Sequence, residues 1–246
     1  MSGPLAWLEP DWPAPPGVRV VSTLRSGGVS AGPYASLNLA THVGDRAEAV
    51  AGNRRRLRVA AALPAEPLWL EQVHGVDVAV HDGGSQSRRA DASLAFAPGR
   101  VCAVMTADCL PIVLADRAGT RIGVAHAGWR GLLAGVVEAT VAGLGCEPQE
   151  LHAWLGPAIG AAAFEVGGEV REAFVNRSPG LASGFTSNER GRCQADLYGL
   201  ARRVLAAAGV SSVHGGGWCT YTDASRFFSF RRDGTTGRMA TLAWLS

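Results

Sequence analysis

The sequence predicts an α/β protein with mixed β-sheets, folded as one domain over residues 1–246. Strand-length apolar runs and helical periodicities are mixed along the whole chain. They do not alternate as strictly as in a Rossmann unit, and no G-x-G-x-x-G opens a helix. The chain is 47% hydrophobic and 18% charged, as is typical of a globular protein with a substantial core.

Four segments have the periodicity of amphipathic helices. In the first of them, Asp45 is a possible N-cap, and Val50, Leu57 and Ala61 recur on one face. In the second, apolar residues recur at helical spacing without a break over sixteen positions. The predicted helices cover residues 45–63, 129–144, 169–176 and 196–208.

Short apolar runs predict the strands, and a loop rich in glycine and serine lies among them. The loop covers residues 22–34, where glycine allows either close approach to a ligand or an ordinary turn. The predicted strands cover residues 68–73, 77–82, 101–106, 112–116, 121–125, 152–156, 213–221, 227–230 and 239–245.

The charge pattern argues against a nucleic-acid partner. The formal net charge is +2, and all 23 basic residues are arginine. A nucleic-acid binder would show a basic excess or a basic stripe, and this chain has neither. The clusters at 54–56 and 202–203 lie in helical patterns, so they are interpreted as solvated faces.

The chain is expected to be cytoplasmic. The N-terminal residues lack a basic segment followed by an apolar one, so no secretory signal is predicted. No apolar run approaches the roughly 18 residues that a membrane span needs. Five cysteines without a C-x-x-C pair fit a reducing compartment better than a disulfide framework.

Three soft-metal ligands lie in three separate short segments. They are His74, Cys109 and His126. Two imidazoles and a thiolate can hold a zinc ion and leave a fourth position open for water or substrate. The same residues could form a trigonal copper site, or a cysteine nucleophile with a histidine base. The residues themselves leave these three alternatives open.

Charged residues near the three ligands could assist them. Asp108 adjoins Cys109 and Glu71 precedes His74, and either carboxylate could orient a metal-bound imidazole or lie on the surface. Arg130 falls at the predicted start of a helix, where anions such as phosphate are favoured. Arg25 and Arg231 supply further forked donors, unless they form ordinary salt bridges.

Two enzyme classes can be tested on the sequence directly. A multicopper oxidase needs many imidazoles, typically in His-x-His pairs, but this chain has six histidines and no such pair. A trinuclear copper cluster is therefore excluded, whereas a single copper ion is not. The H-x-E and P-C-x-x-C motifs of cytidine-type deaminases are also absent. A deaminase here would need another acid/base, for which Glu71 and Asp108 are the candidates.

The sequence resembles the YfiH/YlmD family of bacterial proteins, once labelled multicopper polyphenol oxidases with a laccase domain. The resemblance covers nearly the whole chain, and its long exact blocks around Cys109 and His126 are highly specific. The matching segments are residues 25–34, 36–39, 42–45, 72–75, 90–92, 106–111, 126–131, 155–159 and 230–233.

This resemblance implies a layered α/β/β/α fold and a zinc site formed by His74, Cys109 and His126. It implies phosphorolysis of adenosine, inosine or methylthioadenosine, with an adenosine deaminase side activity, in a monomer or homodimer. It also links such proteins to peptidoglycan editing and to a toxin class with a Cys-His hydrolase site. By motif membership, phosphate is assigned to Arg25, Arg130 and Arg231, and the nucleoside pocket to Asn38 and His42.

Overall fold

Two β-sheets pack face to face, and helices cover both outer sides. The computed structural model describes residues 5–82 and 88–246. Between the sheets lies a buried apolar core that includes Val20 and Val104 from one sheet and Val113, Val124 and Trp154 from the other. The order of layers is therefore helix, sheet, sheet, helix, and the expected α/β/β/α arrangement is confirmed.

The four-stranded sheet is antiparallel and has the order β1-β2-β13-β5. Its outer face is covered by helix α1, Ala47–Ala60, through Leu57. The C-terminal strand β13 lies inside this sheet, with β2 and β5 on either side. The strands are β1 (Trp7–Leu8), β2 (Val18–Thr23), β5 (Val101–Thr106) and β13 (Met239–Leu245).

The six-stranded sheet is mixed and has the order β12-β8-β6-β7-β4-β3. Its centre is the antiparallel pair β6–β7, and each edge is a parallel pair. Both faces of the central strands are buried, which explains their continuous apolar runs. The strands are β3 (Val78–Val80), β4 (Ala92–Ala95), β6 (Leu110–Asp116), β7 (Ile122–Ala127), β8 (Leu151–Leu155) and β12 (Ser212–Gly215).

Helices α2 to α5 lie on the outer face of this larger sheet, together with a small sheet of order β10-β11-β9. A short helix, α6, follows in the segment that leads to β13. None of the described helices is long and apolar enough to cross a membrane. The remaining elements are α2 (Trp129–Ala134), α3 (Val136–Leu144), β9 (Glu165–Val166), α4 (Gly168–Arg177), β10 (Phe185–Ser187), β11 (Cys193–Ala195), α5 (Leu197–Ala207) and α6 (Phe230–Asp233).

The helix predicted over residues 129–144 is two helices. Gly135 interrupts it with φ of 110°, a left-handed conformation that ends α2 and precedes α3. The apolar periodicity continues across the break because both helices pack on the same core. The predicted helix start at Asp45 is also wrong by two residues. The Asp45 carboxylate caps nothing and instead accepts hydrogen bonds from Ser30 and Asn38.

Two predicted strands are absent from the structure. Residues 68–73 form only isolated bridges, because the Gln72 side chain, rather than a ladder, bonds the backbone of Met105 at 2.8 Å in both directions. Residues 227–230 lead into α6, whose N-cap Ser229 accepts a hydrogen bond from the backbone of Arg232. The strand predicted over 213–221 is confined to β12, because three consecutive glycines at positive φ follow His214.

The glycine-rich loop packs against the chain itself. A Cβ at Gly28 would lie 2.1 Å from the backbone oxygen of Ser36. The Arg25 backbone oxygen accepts hydrogen bonds from the backbone of Ser36 and Leu37. The close approach that glycine permits here therefore serves packing of the chain on itself.

Candidate metal centre and cavity

The three predicted ligands come together although they lie in separate segments. His126 is the penultimate residue of β7, and Cys109 immediately precedes β6. Since β6 and β7 pair with Leu110 opposite Ala127, the sheet register itself brings Cys109 beside His126. His74 comes from the loop before β3 and has φ of 61°, in the left-handed region.

The geometry of the three ligand atoms fits a metal ion. One ligand atom from each of His74, Cys109 and His126 lies within 4.8 Å of the others. Cys109 Sγ is 3.7 Å from His74 Nε2, and tetrahedral zinc holds sulfur and nitrogen ligands about 3.5 Å apart. Among the described residues, this is the one group of three or more such ligands. A trigonal copper ion uses the same ligand types, so this geometry does not separate zinc from copper.

Asp91 connects both imidazole ligands, a role that its place in the matching segment 90–92 does not reveal. Its carboxylate is fully buried and lies 2.8 Å from His126 Nδ1. It also accepts hydrogen bonds from the backbone N–H groups of Val73, His74 and Gly75, at 3.1, 2.9 and 2.7 Å. Burial opposes ionisation of Asp91, but these hydrogen bonds outweigh it and lower the pKa of the carboxyl. One carboxylate therefore fixes the ring of His126 and the backbone of His74.

Gly128 lies against the ligands on their other side. A Cβ at this position would be 2.9 Å from Cys109 Sγ and 2.9 Å from His74 Cδ2. Real Cβ atoms do not approach other heavy atoms so closely, so any side chain here would displace a ligand. The glycine in the His126-Ala127-Gly128 segment is therefore required by the space that the ligands occupy.

The electrostatics favour a thiolate at Cys109. Burial raises the pKa of this thiol, but the charge of His126 and hydrogen bonds from His126 and His74 reverse the effect and lower it to about 6. Burial likewise lowers the pKa of His126, but Cys109 and Asp91 raise it to about 9. By contrast, burial raises the pKa of Cys102 to about 12. Cys109 is thus prepared either to bind a metal or to act as a nucleophile.

The three ligands lie in the wall of a cavity of about 420 Å³. Apolar and aromatic side chains form much of the remaining wall, and three arginines line it as well. A cavity of this size and composition is typical of a site for a small organic molecule. The apolar residues include Met105, Trp129, Ile159, Phe164, Leu197 and Phe230, and the arginines are Arg130, Arg231 and Arg238, with His42 beside them.

Three of the five predicted substrate residues line this cavity. Arg130 and Arg231 are exposed at its wall, and each lies over an aromatic ring, of Trp129 and Phe164 respectively. His42 is also exposed at this wall, and its pKa is lowered first by desolvation and then by the charges of Arg238 and Arg54.

The other two predicted substrate residues, Arg25 and Asn38, are not among the residues that line the cavity. Arg25 donates to the backbone oxygens of Ala35 and Ala224 and lies over Phe228, so its guanidinium holds loops together. Asn38 is fully buried, and its side-chain oxygen accepts from the backbone of Arg238 at 3.0 Å. Both residues stabilise the region behind the cavity wall.

Of the two alternatives left open for Glu71 and Asp108, orienting an imidazole or lying on the surface, the surface position holds for Glu71, and neither carboxylate orients an imidazole. Glu71 is exposed and does not line the cavity. Asp108 lines it, but its oxygens accept from Thr220 Oγ1 at 2.6 Å and from the backbone of Arg231 at 2.7 Å. Asp91, not Asp108 or Glu71, orients an imidazole here. Asp108 instead ties the segments around Thr220 and Arg231 to the ligand Cys109.

Comparison with known proteins assigns the chain to a family. The family described as multi-copper polyphenol oxidoreductase laccase matches residues 19–246. The chain belongs to this family. It is 57% identical over 241 residues to a Pseudomonas aeruginosa protein named purine nucleoside phosphorylase, with 98% of each chain covered. It is 54% identical over 239 residues to purine nucleoside phosphorylase YfiH of Escherichia coli, covering 97% of this chain and 98% of that one.

Solved structures of this family share the fold. A Neisseria meningitidis protein superposes with a TM-score of 0.92 at 49% identity, covering 98% of this chain and 99% of the other. YlmD from Geobacillus stearothermophilus gives a TM-score of 0.87 at 31% identity, covering 100% and 98%. The resemblance to the YfiH/YlmD family and the mixed α/β fold are therefore confirmed.

Proposed function

We propose that this chain is a zinc-dependent purine nucleoside phosphorylase acting on adenosine, inosine and methylthioadenosine, with adenosine deamination as a side activity. The observation that carries the proposal is the position of the His74, Cys109 and His126 centre in a cavity that offers both aromatic and arginine side chains. The names of the Pseudomonas and Escherichia relatives support the same reaction class.

The cavity provides for both substrates of phosphorolysis. A phosphate oxygen attacks C1′ of the ribose, the N-glycosidic bond breaks, and the base leaves with its electron pair and takes up a proton. Bound zinc supplies an electrophile with an open coordination position for an oxygen ligand. The rings of Trp129, Phe164 and Phe230 offer faces on which a purine can stack. Asp108 is the carboxylate that faces the cavity, so we assign the proton transfer to it.

Arg238 replaces Arg25 in our assignment of the phosphate site, beside Arg130 and Arg231. Its guanidinium is partly buried, and burial lowers its pKa despite the nearby charges of Cys109 and Asp108. Its Nη1 donates to the backbone of Thr236 and Gly237, but no described carboxylate forms an ion pair with it. A partly buried cation without a carboxylate partner is stabilised by a bound anion.

This assignment predicts a selective effect of Arg238→Gln. The KM for phosphate should rise at least about tenfold, because a charge-assisted contact contributes about 1.5–3 kcal/mol, while zinc content stays unchanged. Arg25→Gln is the matched control, and it should leave the KM for phosphate near the wild-type value. Steady-state kinetics with phosphate varied at saturating adenosine measures both. Equal KM values in Arg238→Gln and wild type would show that Arg238 does not hold phosphate.

A direct assay tests the reaction itself. Zinc-loaded protein should release adenine from adenosine only when phosphate is present, and Cys109→Ala should abolish this release. Chromatography separates adenine, inosine and hypoxanthine in one run. Conversion to inosine alone, at the same rate with and without phosphate, would make deamination the main activity. Full phosphorolysis by metal-free protein or by Cys109→Ala would exclude the zinc mechanism.

The low pKa of Cys109 favours one alternative, a Cys-His hydrolase related to peptidoglycan editing. In that case Cys109 is the nucleophile and His126 its base, so zinc and catalysis compete for the same sulfur. Hydrolase activity would then rise when metal is removed and disappear on alkylation. A copper-dependent, laccase-like oxidase is the other alternative, because the same ligands accept copper. Metal analysis of wild type and Cys109→Ala, both purified without added copper, distinguishes it from the zinc enzyme, because the metal that is lost with Cys109 is the one held in the cavity.

A further inference from the structure

A second group of imidazoles lies at the edge of the six-stranded sheet. Strands β8 and β12 are parallel, and their register places Ser212 beside His152. His214 follows Ser212 by two residues, so it projects from the same face of the sheet. All three side chains are partly exposed, and none of them lines the cavity. Solutes therefore reach this cluster independently of the first metal centre.

The two imidazoles converge on one oxygen atom. Ser212 Oγ lies 2.7 Å from His152 Nδ1 and 2.9 Å from His214 Nε2, and the ring centroids are 6.2 Å apart. A hydroxyl carries one proton, so it donates to at most one of these nitrogens, and the other nitrogen must donate to the oxygen. The sheet register thus directs two metal-ligating atoms toward a single point held by a neutral hydroxyl.

The charges around the cluster keep His152 neutral. Burial, Arg117 and His214 lower the pKa of His152, and Glu150 opposes them. Neutral imidazole is the form that binds metal ions, and its other nitrogen can carry the ring proton. Arg117 weakens binding of a cation at this point, whereas Glu150 strengthens it. The backbones of these two residues are joined by a hydrogen bond of 2.9 Å, from the Arg117 N–H to the Glu150 oxygen.

We propose that His152 Nδ1 and His214 Nε2 bind a divalent transition-metal ion, with Cu²⁺ preferred. Binding requires the two rings to rotate until both nitrogens lie roughly 2.0 Å from the ion, the length of an imidazole–metal bond. The Ser212 hydroxyl and water complete the coordination. Nitrogen and oxygen ligands without a thiolate favour Cu²⁺ and Ni²⁺, and copper is the tightest binder among first-row divalent metals. No electron transfer accompanies binding, and the shared N–H proton moves to the other ring nitrogen.

Binding at this edge is independent of the proposed phosphorylase activity. It gives the chain two metal sites with different ligands: a thiolate-containing centre in the cavity and an imidazole pair at the sheet edge. Copper bound at the edge would therefore be present whether or not Cys109 holds zinc. The copper content of the whole protein would then not show whether the His74, Cys109 and His126 site holds copper.

The test is a copper titration of zinc-saturated protein. We expect one further equivalent of Cu²⁺ to bind with an axial electron paramagnetic resonance signal, without release of zinc. His152→Asn and His214→Asn should each weaken this binding at least about tenfold, since each removes one of two protein nitrogens. Arg117→Gln should strengthen it. Ser212→Ala should still bind copper, because the hydroxyl is replaceable by water.

The matched control is His81→Asn, at a partly buried histidine outside the cluster, and it should leave the copper affinity unchanged. Thermal unfolding of each variant confirms that it is folded. Three results would overturn the proposal: no copper bound at zinc saturation, copper that enters only by releasing an equal amount of zinc, or undiminished binding in the folded double variant His152→Asn/His214→Asn.

Discussion

Asp91 is the residue on which the geometry of the metal centre depends most. Its carboxylate bonds His126 Nδ1 and the backbone on both sides of His74. A partner of this kind fixes the tautomer of the ring, so that Nε2 of His126 presents its lone pair to the metal. The two histidines are therefore held by one buried group, and its loss disturbs both.

Asp91→Asn should weaken zinc retention by about 10–100-fold, because an amide can replace only part of the acceptor set. Competition with a fluorescent chelator measures the affinity. Asp116→Asn is the matched control. It changes another buried carboxylate, which accepts from Thr120 and Arg121 outside the centre. Asp116→Asn should lower the unfolding free energy and leave zinc affinity unchanged. Equal zinc affinity in Asp91→Asn and wild type would contradict the role of Asp91.

The Cys109 thiol should titrate near pH 6 in metal-free protein. Its folded-state pKa lies below the ordinary value, so the thiolate form is populated above about pH 6 and is lost as pH falls. Alkylation by iodoacetamide, followed by mass spectrometry at Cys109, should rise through this pH and level off by about pH 7. Cys102, whose pKa burial raises to about 12, provides the internal control. A midpoint near the ordinary value of about 8.5 would contradict the electrostatic description.

At the level of residues, sequence motifs were informative about ligands and less so about the surrounding groups. His74, Cys109 and His126 lie together as predicted, and each is a soft ligand within a matching segment. Arg25 and Asn38 share such motifs, yet they stabilise loops. Asp91 also lies in a matching segment, residues 90–92, but that segment does not reveal its role, and Arg238 lies in none of them. The importance of both residues comes from burial and contacts between distant segments.

At the level of elements, the break at Gly135 separates the helix that contributes to the cavity wall from the one that does not. Helix α2 begins at Trp129, so the two cavity residues Trp129 and Arg130 are in its first turn. Helix α3 continues on the sheet after the left-handed glycine. Both α2 and α3 therefore pack on the core, and of these two helices only α2 faces the cavity.

Gly135→Ala should lower the unfolding free energy by about 1–2 kcal/mol, because alanine is strained at φ of 110°. The new Cβ itself has room, with its nearest contact 3.7 Å away. The control Gly168→Ala, in the first turn of α4, has open space and no positive φ, and should be neutral or stabilising by up to about 1 kcal/mol. Urea unfolding measures both. A fully stable Gly135→Ala variant would show that α2 and α3 can merge.

Strands were predicted best where tertiary structure leaves both faces buried. The runs 101–106 and 239–245 agree with the observed strands because every residue in them is buried. The runs 68–73 and 227–230 also contain apolar residues, but side chains in them form the bonds to backbone that a ladder would otherwise form: Gln72 donates to the backbone of Met105, and Ser229 accepts from the backbone of Arg232. An apolar run indicates that a segment is buried. Whether that segment is a strand or a loop depends on its hydrogen-bond partners, which come from elsewhere in the chain.

At the level of the whole molecule, the three candidate metal ligands come from parts of the chain that lie far apart in sequence. Cys109 and His126 belong to the larger sheet, and His74 belongs to the loop before its edge strand. An ion bound by all three cross-links these segments in the folded state only. Metal binding should therefore add to global stability, as for any ligand that binds the native state alone.

Chelation should lower the thermal midpoint of zinc-loaded protein. At free zinc 100-fold above its dissociation constant, the stabilisation is about 2.7 kcal/mol, which corresponds to roughly 5–10 °C for a chain of this length. Differential scanning calorimetry with and without chelator measures the shift. The same chelator should not change the midpoint of Cys109→Ala. An equal shift in both proteins would place the stabilising metal elsewhere.

The space around Gly128 has a consequence for how related sequences diverge. Since a Cβ there would lie 2.9 Å from Cys109 Sγ, the smallest side chain at position 128 competes with the sulfur at position 109. Substitution of the glycine is therefore tolerable only after the cysteine has been lost or replaced by a smaller residue. Among relatives, we expect positions 128 and 109 to change together. A residue other than glycine at position 128 should occur only in proteins that have lost the cysteine ligand and no longer bind the metal.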